Sequence, residues 1–317
     1  MSKFIVTGGA GFIGSHITNT LLANGHEVVV IDDLSTGFLE NLQSHENLTF
    51  VKADISNWVE LVYKLSYLKN ADGLFHLAAM ARIQPAIQDP WKTHNINVNG
   101  TFNILEVCRV LDVKKIVYSS SSSCYGLKNE APYTEDMPVD CLNPYSVSKH
   151  IGEKYIETWG KLYGIQTMSF RYFNVYGPRS PLSGCYAPVI GLFFRQTIKD
   201  NVPMTIIGDG KQTRDMTYIG DVVKANILAM EELNDQNSGQ LLNIGTGESC
   251  SINELALKIQ TLCKTKLGTQ TLPTRPAEAK HAKADVSLAK RVLNWEPETP
   301  LDVGLSVMKN YYMDTLK

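Results

Sequence analysis

The 317-residue chain is short of several things, and each shortage excludes a class of protein. Its six cysteines contain no C-x-x-C pair and no cysteine–histidine cluster with metal-ligand spacing, so the sequence predicts reduced thiols and no metal site. No apolar run approaches the ~18 residues of a membrane span, and no membrane partner is expected. The first residues lead straight into FIVTGG, where a signal peptide would need a basic and then a long apolar region; a cytoplasmic protein is the expectation. Formal net charge is −2, which gives no overall basic footprint for nucleic acid.

What is present is a strand–helix rhythm. Residues 3–7, 27–31, 48–52, 73–76 and 115–118 are short apolar runs of buried-strand type. Between them, residues 12–24 carry Ile13, Ile17, Leu21 and Leu22 on one stripe, and residues 95–111 carry Ile96, Phe102, Leu105 and Leu111 on another. A helix over 145–163 and a strand over 166–172 continue the alternation. This predicts an α/β fold, a Rossmann-type doubly wound parallel sheet. Past VYGPRSPLSG (175–184) the rhythm changes. Helices are expected near 187–199, 220–233 and 251–264, and strands near 204–207, 241–244 and 269–272. The division is a dinucleotide-binding domain over 1–175 and a smaller α/β substrate lobe over 176–317, with the chain free to cross between them.

The stretch TGGAGFIG places Gly8, Gly11 and Gly14 between the first strand and the first helix. Glycine there lets the backbone approach a pyrophosphate, and the N–H groups at the helix start, about Phe12 and Ile13, point at it. A tight turn with no ligand is the plainer alternative. VVVIDD ends the second strand on Asp32 and Asp33, about 20 residues on, where a carboxylate accepts both ribose hydroxyls of NAD. No Arg or Lys in 32–37 offsets the repulsion of an extra phosphate, so NAD is favoured over NADP. Asp54 and Ile55 follow the third strand, near an adenine. Leu77, Ala78 and Ala79 follow the fourth, where small side chains either admit a dinucleotide or serve packing.

With TGGAGFIG, FHLAAMA, NVNGT, SSSSSCYG, NPYSVSK, RYFNVYG, RDMTYIGD and LNWEPETPLDVGL in that order, the chain resembles the extended short-chain dehydrogenase/reductases over essentially its whole length. Within them it is most similar to the UDP-hexose and UDP-N-acetylhexosamine 4-epimerases. The resemblance implies NAD as cofactor, with Asn99 of NVNGT added to its binding residues. It implies Ser121 as hydrogen-bond partner of the sugar 4-hydroxyl, Ser122 as an auxiliary, Tyr145 as proton shuttle, and Lys149 as the cation that tunes it and holds the nicotinamide ribose. A phenol ordinarily titrates near 10, so a base working near neutrality needs that help.

For the substrate end the resemblance implies Asn174, Arg214 and Arg275 on a UDP diphosphate, Val189 of YAPVIG near the uracil, and Ala282 at a gatekeeper place where a small residue admits an N-acetyl group. Arg82 reaches the sugar or braces the scaffold. His281 reads as structural, Cys124 as packing and Asp221 as a cap of its own helix. Family dehydratases carry an acidic pair where this chain has Ser122 and Ser123, so loss of water is unsupported. The implied function is 4-epimerisation of a UDP-sugar through a 4-keto sugar. The substrate is UDP-N-acetylglucosamine or UDP-N-acetylgalactosamine, with UDP-glucose and UDP-galactose also in view. A UDP-glucuronate 4-epimerase and a silent NAD-binding regulator stand as alternatives. A homodimer through helices 95–111 and 145–163 is also implied.

Overall fold

The computed structural model describes residues 1–66, 68, 70–182, 187–274 and 279–316. The first part alternates as read: β1 (Lys3–Thr7), α1 (Phe12–Ala23), β2 (Glu27–Asp32), β3 (Leu48–Lys52), α2 (Trp58–Leu65), β4 (Gly73–His76), α3 (Ile83–Gln88), α4 (Pro90–His94), α5 (Gly100–Val110), β5 (Lys115–Ser121), α6 (Pro144–Tyr163) and β6 (Gln166–Tyr172). After it come α7 (Val189–Phe194), β7 (Met204–Ile207), β8 (Thr213–Arg214), α8 (Ile219–Glu232), β9 (Gln240–Ile244), β10 (Cys250–Ser251), α9 (Ile252–Cys263), β11 (Thr269–Leu272), α10 (Ser287–Leu293) and α11 (Leu301–Thr315).

Seven strands form a parallel sheet in the order β3-β2-β1-β4-β5-β6-β9. The order reverses direction between β1 and β4, and a ligand crevice opens at the carboxyl ends of strands at such a point. Helices cover both faces. On one, Ile17, Leu21 and Leu22 of α1 pack with Val222, Ala225 and Met230 of α8 and with Trp295. On the other, Leu61, Ile104, Leu105 and Ile156 pack over Ile5, Val29 and Leu74. Each buried Val, Leu, Ile or Met among them contributes about 1.5–3 kcal/mol. The central runs of β1, β2 and β4 (residues 4–6, 28–31 and 74–75) are apolar because both faces are covered.

Residues past 176 do not all leave this layer. The segment holding α8 and β9 returns to it, and β9 becomes the strand beside β6. The smaller lobe is built from α7, β7, α9, β11 and α11 around Phe193, Phe194, Leu255, Ile259, Met308 and Tyr312. Asp221 does not cap its own helix. Its carboxylate accepts the backbone N–H of Glu298 and Thr299, both at 3.1 Å, and so ties the C-terminal segment to α8.

Candidate active site

One cleft of about 1170 Å³ runs between the sheet ends and the small lobe. At its floor is the glycine turn. A Cβ on Gly14 would stand 2.1 Å from the Gly8 carbonyl, and one on Gly8 would stand 2.8 Å from the Ala78 nitrogen. Gly8 also has φ +68°, a left-handed value that glycine adopts without strain. The turn therefore hugs the start of the strand-4 loop and leaves the first N–H groups of α1, unpaired within the helix, open to the cleft. This cradle fits a pyrophosphate. Gly14→Ala is expected to cost about 1–3 kcal/mol of packing strain and to weaken NAD binding by about tenfold or more, read by calorimetry; unchanged affinity would remove the cradle from the binding site.

Asp32 and Asp33 line the same end of the cleft. Asp32 accepts from the N–H of Ala10 at 2.9 Å and of Leu34 at 2.8 Å. Burial pushes its carboxyl up, against those two donors. Phe12, Ile13, Asp54, Ile55, Leu77, Ala78 and Ala79 also line the cleft. Asn99 does not: it is exposed, and its amide donates to Asn95 Oδ1 at 3.0 Å. Residues 95–99 form a π turn joining α4 to α5, which shifts the helical phase, and the buried asparagine is Asn97. Asn97 accepts from Met80 N at 2.8 Å and donates to Met80 O at 3.1 Å and to Ser148 Oγ at 2.9 Å, fixing the strand-4 loop to α6.

Helix α6 begins where the sequence says it should. Asn143 caps it by accepting from Ser146 N at 2.9 Å, Ser146 caps back in return, and Pro144 occupies the first turn. This fixes Tyr145 at the helix entrance and Lys149 one turn deeper. Ser121 ends β5 beside them. Burial pushes the Tyr145 phenol above its ordinary value; the Ser121 hydroxyl bonded to it and the Arg82 guanidinium near it pull the other way.

Lys149 is buried and donates to Ser119 O at 2.8 Å. Its ammonium lies over the Tyr118 ring at 5.2 Å, in the wall of the cleft, and burial brings it down to about 8. His76 lies behind it, in a chain from Thr7 Oγ1 (2.7 Å) to Thr101 Oγ1 (3.0 Å), and burial, with Lys149, takes its imidazole down to about 3, so it is neutral.

The cleft is also lined by Ser122, Asn174, Val189, Arg214 and Ala282. Asn174 donates to Asp215 O at 3.2 Å, and Arg214 donates to Thr213 O at 2.9 Å. Arg275 lies outside the described residues. Ala282 is buried, packed with Tyr125, Tyr133 and Phe173. His281 is exposed, and its ring bonds Thr213 Oγ1 at 3.1 Å. Cys124 is buried, with Sγ 3.6 Å from Ser146 O.

The sequence reading passed over Asp215. Its carboxylate accepts from Thr246 N (2.7 Å), Thr246 Oγ1 (2.7 Å), Gly247 N (3.0 Å) and Ala284 N (3.1 Å), so it helps set where the segment holding Ala282 runs. The only sequence signal is its place in RDMTYIGD, directly after Arg214.

The sequence profile of the NAD dependent epimerase/dehydratase family matches residues 4–245. The chain belongs to that family. NAD is the cofactor of that family. A Mycolicibacterium smegmatis UDP-glucose 4-epimerase is 36% identical over 98% of both chains. Among solved structures, the UDP-N-acetylglucosamine 4-epimerase of Methanobrevibacter ruminantium, in complex with UDP-N-acetylmuramic acid, superposes with TM-score 0.91 at 32% identity, covering 99% of both chains. A Thermus thermophilus UDP-glucose 4-epimerase complexed with NAD superposes with TM-score 0.89 at 31% identity, covering 98% of both.

Proposed function

We propose that this protein is an NAD-dependent UDP-sugar 4-epimerase acting on UDP-N-acetylglucosamine and UDP-N-acetylgalactosamine, with UDP-glucose and UDP-galactose as further substrates. The observation that carries it is that one cleft gathers the glycine cradle and Asp32, Ser121 and Tyr145, and Asn174, Arg214 and Ala282. When bound, NAD supplies the acceptor and later the donor of a hydride at carbon 4 of the sugar. The protein's part is proton work and positioning. Tyr145 takes the proton of the 4-hydroxyl as the carbonyl forms and returns it to the oxygen of the opposite epimer. Ser121 holds that oxygen by a hydrogen bond. Lys149 meets the nicotinamide ribose, and Gly8, Gly11 and Gly14 seat the pyrophosphate. Arg214 and Asn174 meet the diphosphate of the substrate, Val189 lies toward the uracil, and Ser122 assists Ser121. No acidic pair stands at 122 and 123, so the 4-keto sugar has no base for eliminating water and is reduced instead.

The test is to incubate the purified protein with NAD and each UDP-sugar in turn, UDP-glucuronate included, and to follow the carbon-4 epimers by NMR. Absence of any epimer would remove the proposal. The N-acetyl preference rests on Ala282, whose methyl is the smallest wall available there. Ala282→Tyr is expected to lower kcat/KM for UDP-N-acetylglucosamine by about tenfold or more relative to UDP-glucose; an unchanged ratio would put the N-acetyl group elsewhere.

The homodimer reading is supported by an aromatic cluster on the outer face of α5 and α6. Phe102, 40% exposed, touches Tyr155 and Trp159 edge-on, and Trp159 adjoins Tyr163. Light scattering gives the mass, and a monomer at micromolar concentration would refute it.

A further inference from the structure

We propose that Arg82 is a positioning residue for the proton transfer: its guanidinium is a second, permanent cation serving the Tyr145 phenolate, and a strained backbone holds it there. The inference rests on the 4-epimerase reading of the cleft.

Arg82 precedes α3 with φ +82° and ψ +148°. That combination belongs to glycine; another residue adopts it at a cost of about 1–3 kcal/mol. Such strain persists where something else requires the side chain. Helix α3 packs against α6, and Arg82 lines the cleft with Tyr145. The guanidinium is half-buried, and among the described residues no carboxylate pairs with it. The group whose negative charge it feels is the Tyr145 phenol. A cation withdrawn from water and left without a carboxylate is costly, and a phenolate formed beside it removes that cost.

The other groups around Tyr145 leave this task open. Ser121, from β5, is neutral. Cys124, from the turn after β5, and Tyr118, from within β5, disfavour a second negative charge nearby. His76, from β4, is uncharged. Lys149, on α6 itself, is committed to Ser119 O, and burial brings its ammonium down to about 8. An arginine keeps its charge throughout that range. Arg82 is thus the cation that bears on the Tyr145 phenol from across the cleft.

Arg82→Gly tests this, because it removes the charge and relieves the strain together. The variant is expected to keep its Tm or raise it, to bind NAD as the wild type does, and to move the acid limb of kcat upward by about one pH unit or more. Turnover near neutrality then falls about tenfold per unit. Arg82→Lys is expected to move the limb less. A direct ultraviolet titration of the phenol, taken as the difference between each protein and its Tyr145→Phe counterpart, reads the same shift without turnover. Wild-type epimerisation with an unmoved acid limb and phenol titration in Arg82→Gly would overturn the inference. A rise in KM alone would make Arg82 a substrate contact and overturn it equally. Lack of epimerisation by the wild type would instead remove the reading on which it rests.

Discussion

Tyr145→Phe is expected to lower kcat by about 10²–10⁴-fold while leaving NAD binding and Tm near those of the wild type. The phenyl ring fills the same space at the entrance of α6, and the capping by Asn143 and Ser146 does not involve the hydroxyl. What disappears is the one group bonded to Ser121 that can carry a proton to and from the sugar oxygen. Ser121 cannot substitute, since its hydroxyl does not ionise in the accessible range, and Lys149 points to Ser119 O. KM is expected to change little, because the lost interaction develops as the proton moves. Single-turnover mixing separates this from a binding defect. A Tyr145→Phe protein that still interconverts epimers at a rate near the wild type's would rule out the phenol as the proton carrier and leave water as the remaining candidate.

The parts of this protein that could be read in the sequence are those governed by local rules. Strand and helix positions follow apolar period and cap chemistry, and α6 is the clear case: Asn-Pro-Tyr-Ser dictates its first turn and so dictates where Tyr145 stands. The glycine turn is equally local. What was not legible depends on phase or on contacts made across the chain. Asn99 and Asn97 are two residues apart in a run of alternating asparagines, and only a π turn decides which faces inward. Asp215 gathers donors 31 and 69 residues away, which no spacing announces. Asp221 has the look of a helix-start cap, yet it serves the chain at 298–299. The electrostatics of Tyr145 differ in the same way. Four-residue spacing correctly puts Lys149 on its helix face, but the length of the lysine chain carries the ammonium to the Ser119 carbonyl. The cation that favours the phenolate is that of Arg82, on a different loop.

The largest effect on stability is expected at Glu153, one turn past Lys149. Its carboxylate accepts from Arg171 Nε at 2.9 Å and Nη2 at 2.8 Å, from Ser120 Oγ at 2.5 Å, and pairs with His150 Nδ1 at 3.0 Å. Burial alone would raise this carboxyl; the bidentate arginine overrules it and brings it down to about 2. Glu153 belongs to α6, Ser120 to β5 and Arg171 to β6, so the cluster fastens the helix of Tyr145 to two strands. Glu153→Gln leaves Arg171 buried without a counter-charge, against the Tyr125 ring at 4.5 Å. A loss of about 3–5 kcal/mol follows, or about 5–8 °C in Tm for a chain of this size. The pH dependence has a definite sign. A carboxyl whose folded value lies below its unfolded one stabilises the fold above the unfolded value, ordinarily 4.5, and that contribution fades as pH falls toward about 2. The gap in Tm between wild type and Glu153→Gln is therefore expected to be full at pH 7 and to narrow at pH 3. Glu153→Leu combined with Arg171→Met is expected to recover part of the loss, because no buried charge is then left alone. A gap that stayed constant from pH 7 to pH 3 would mean that the carboxylate charge is not what fastens α6 to the sheet.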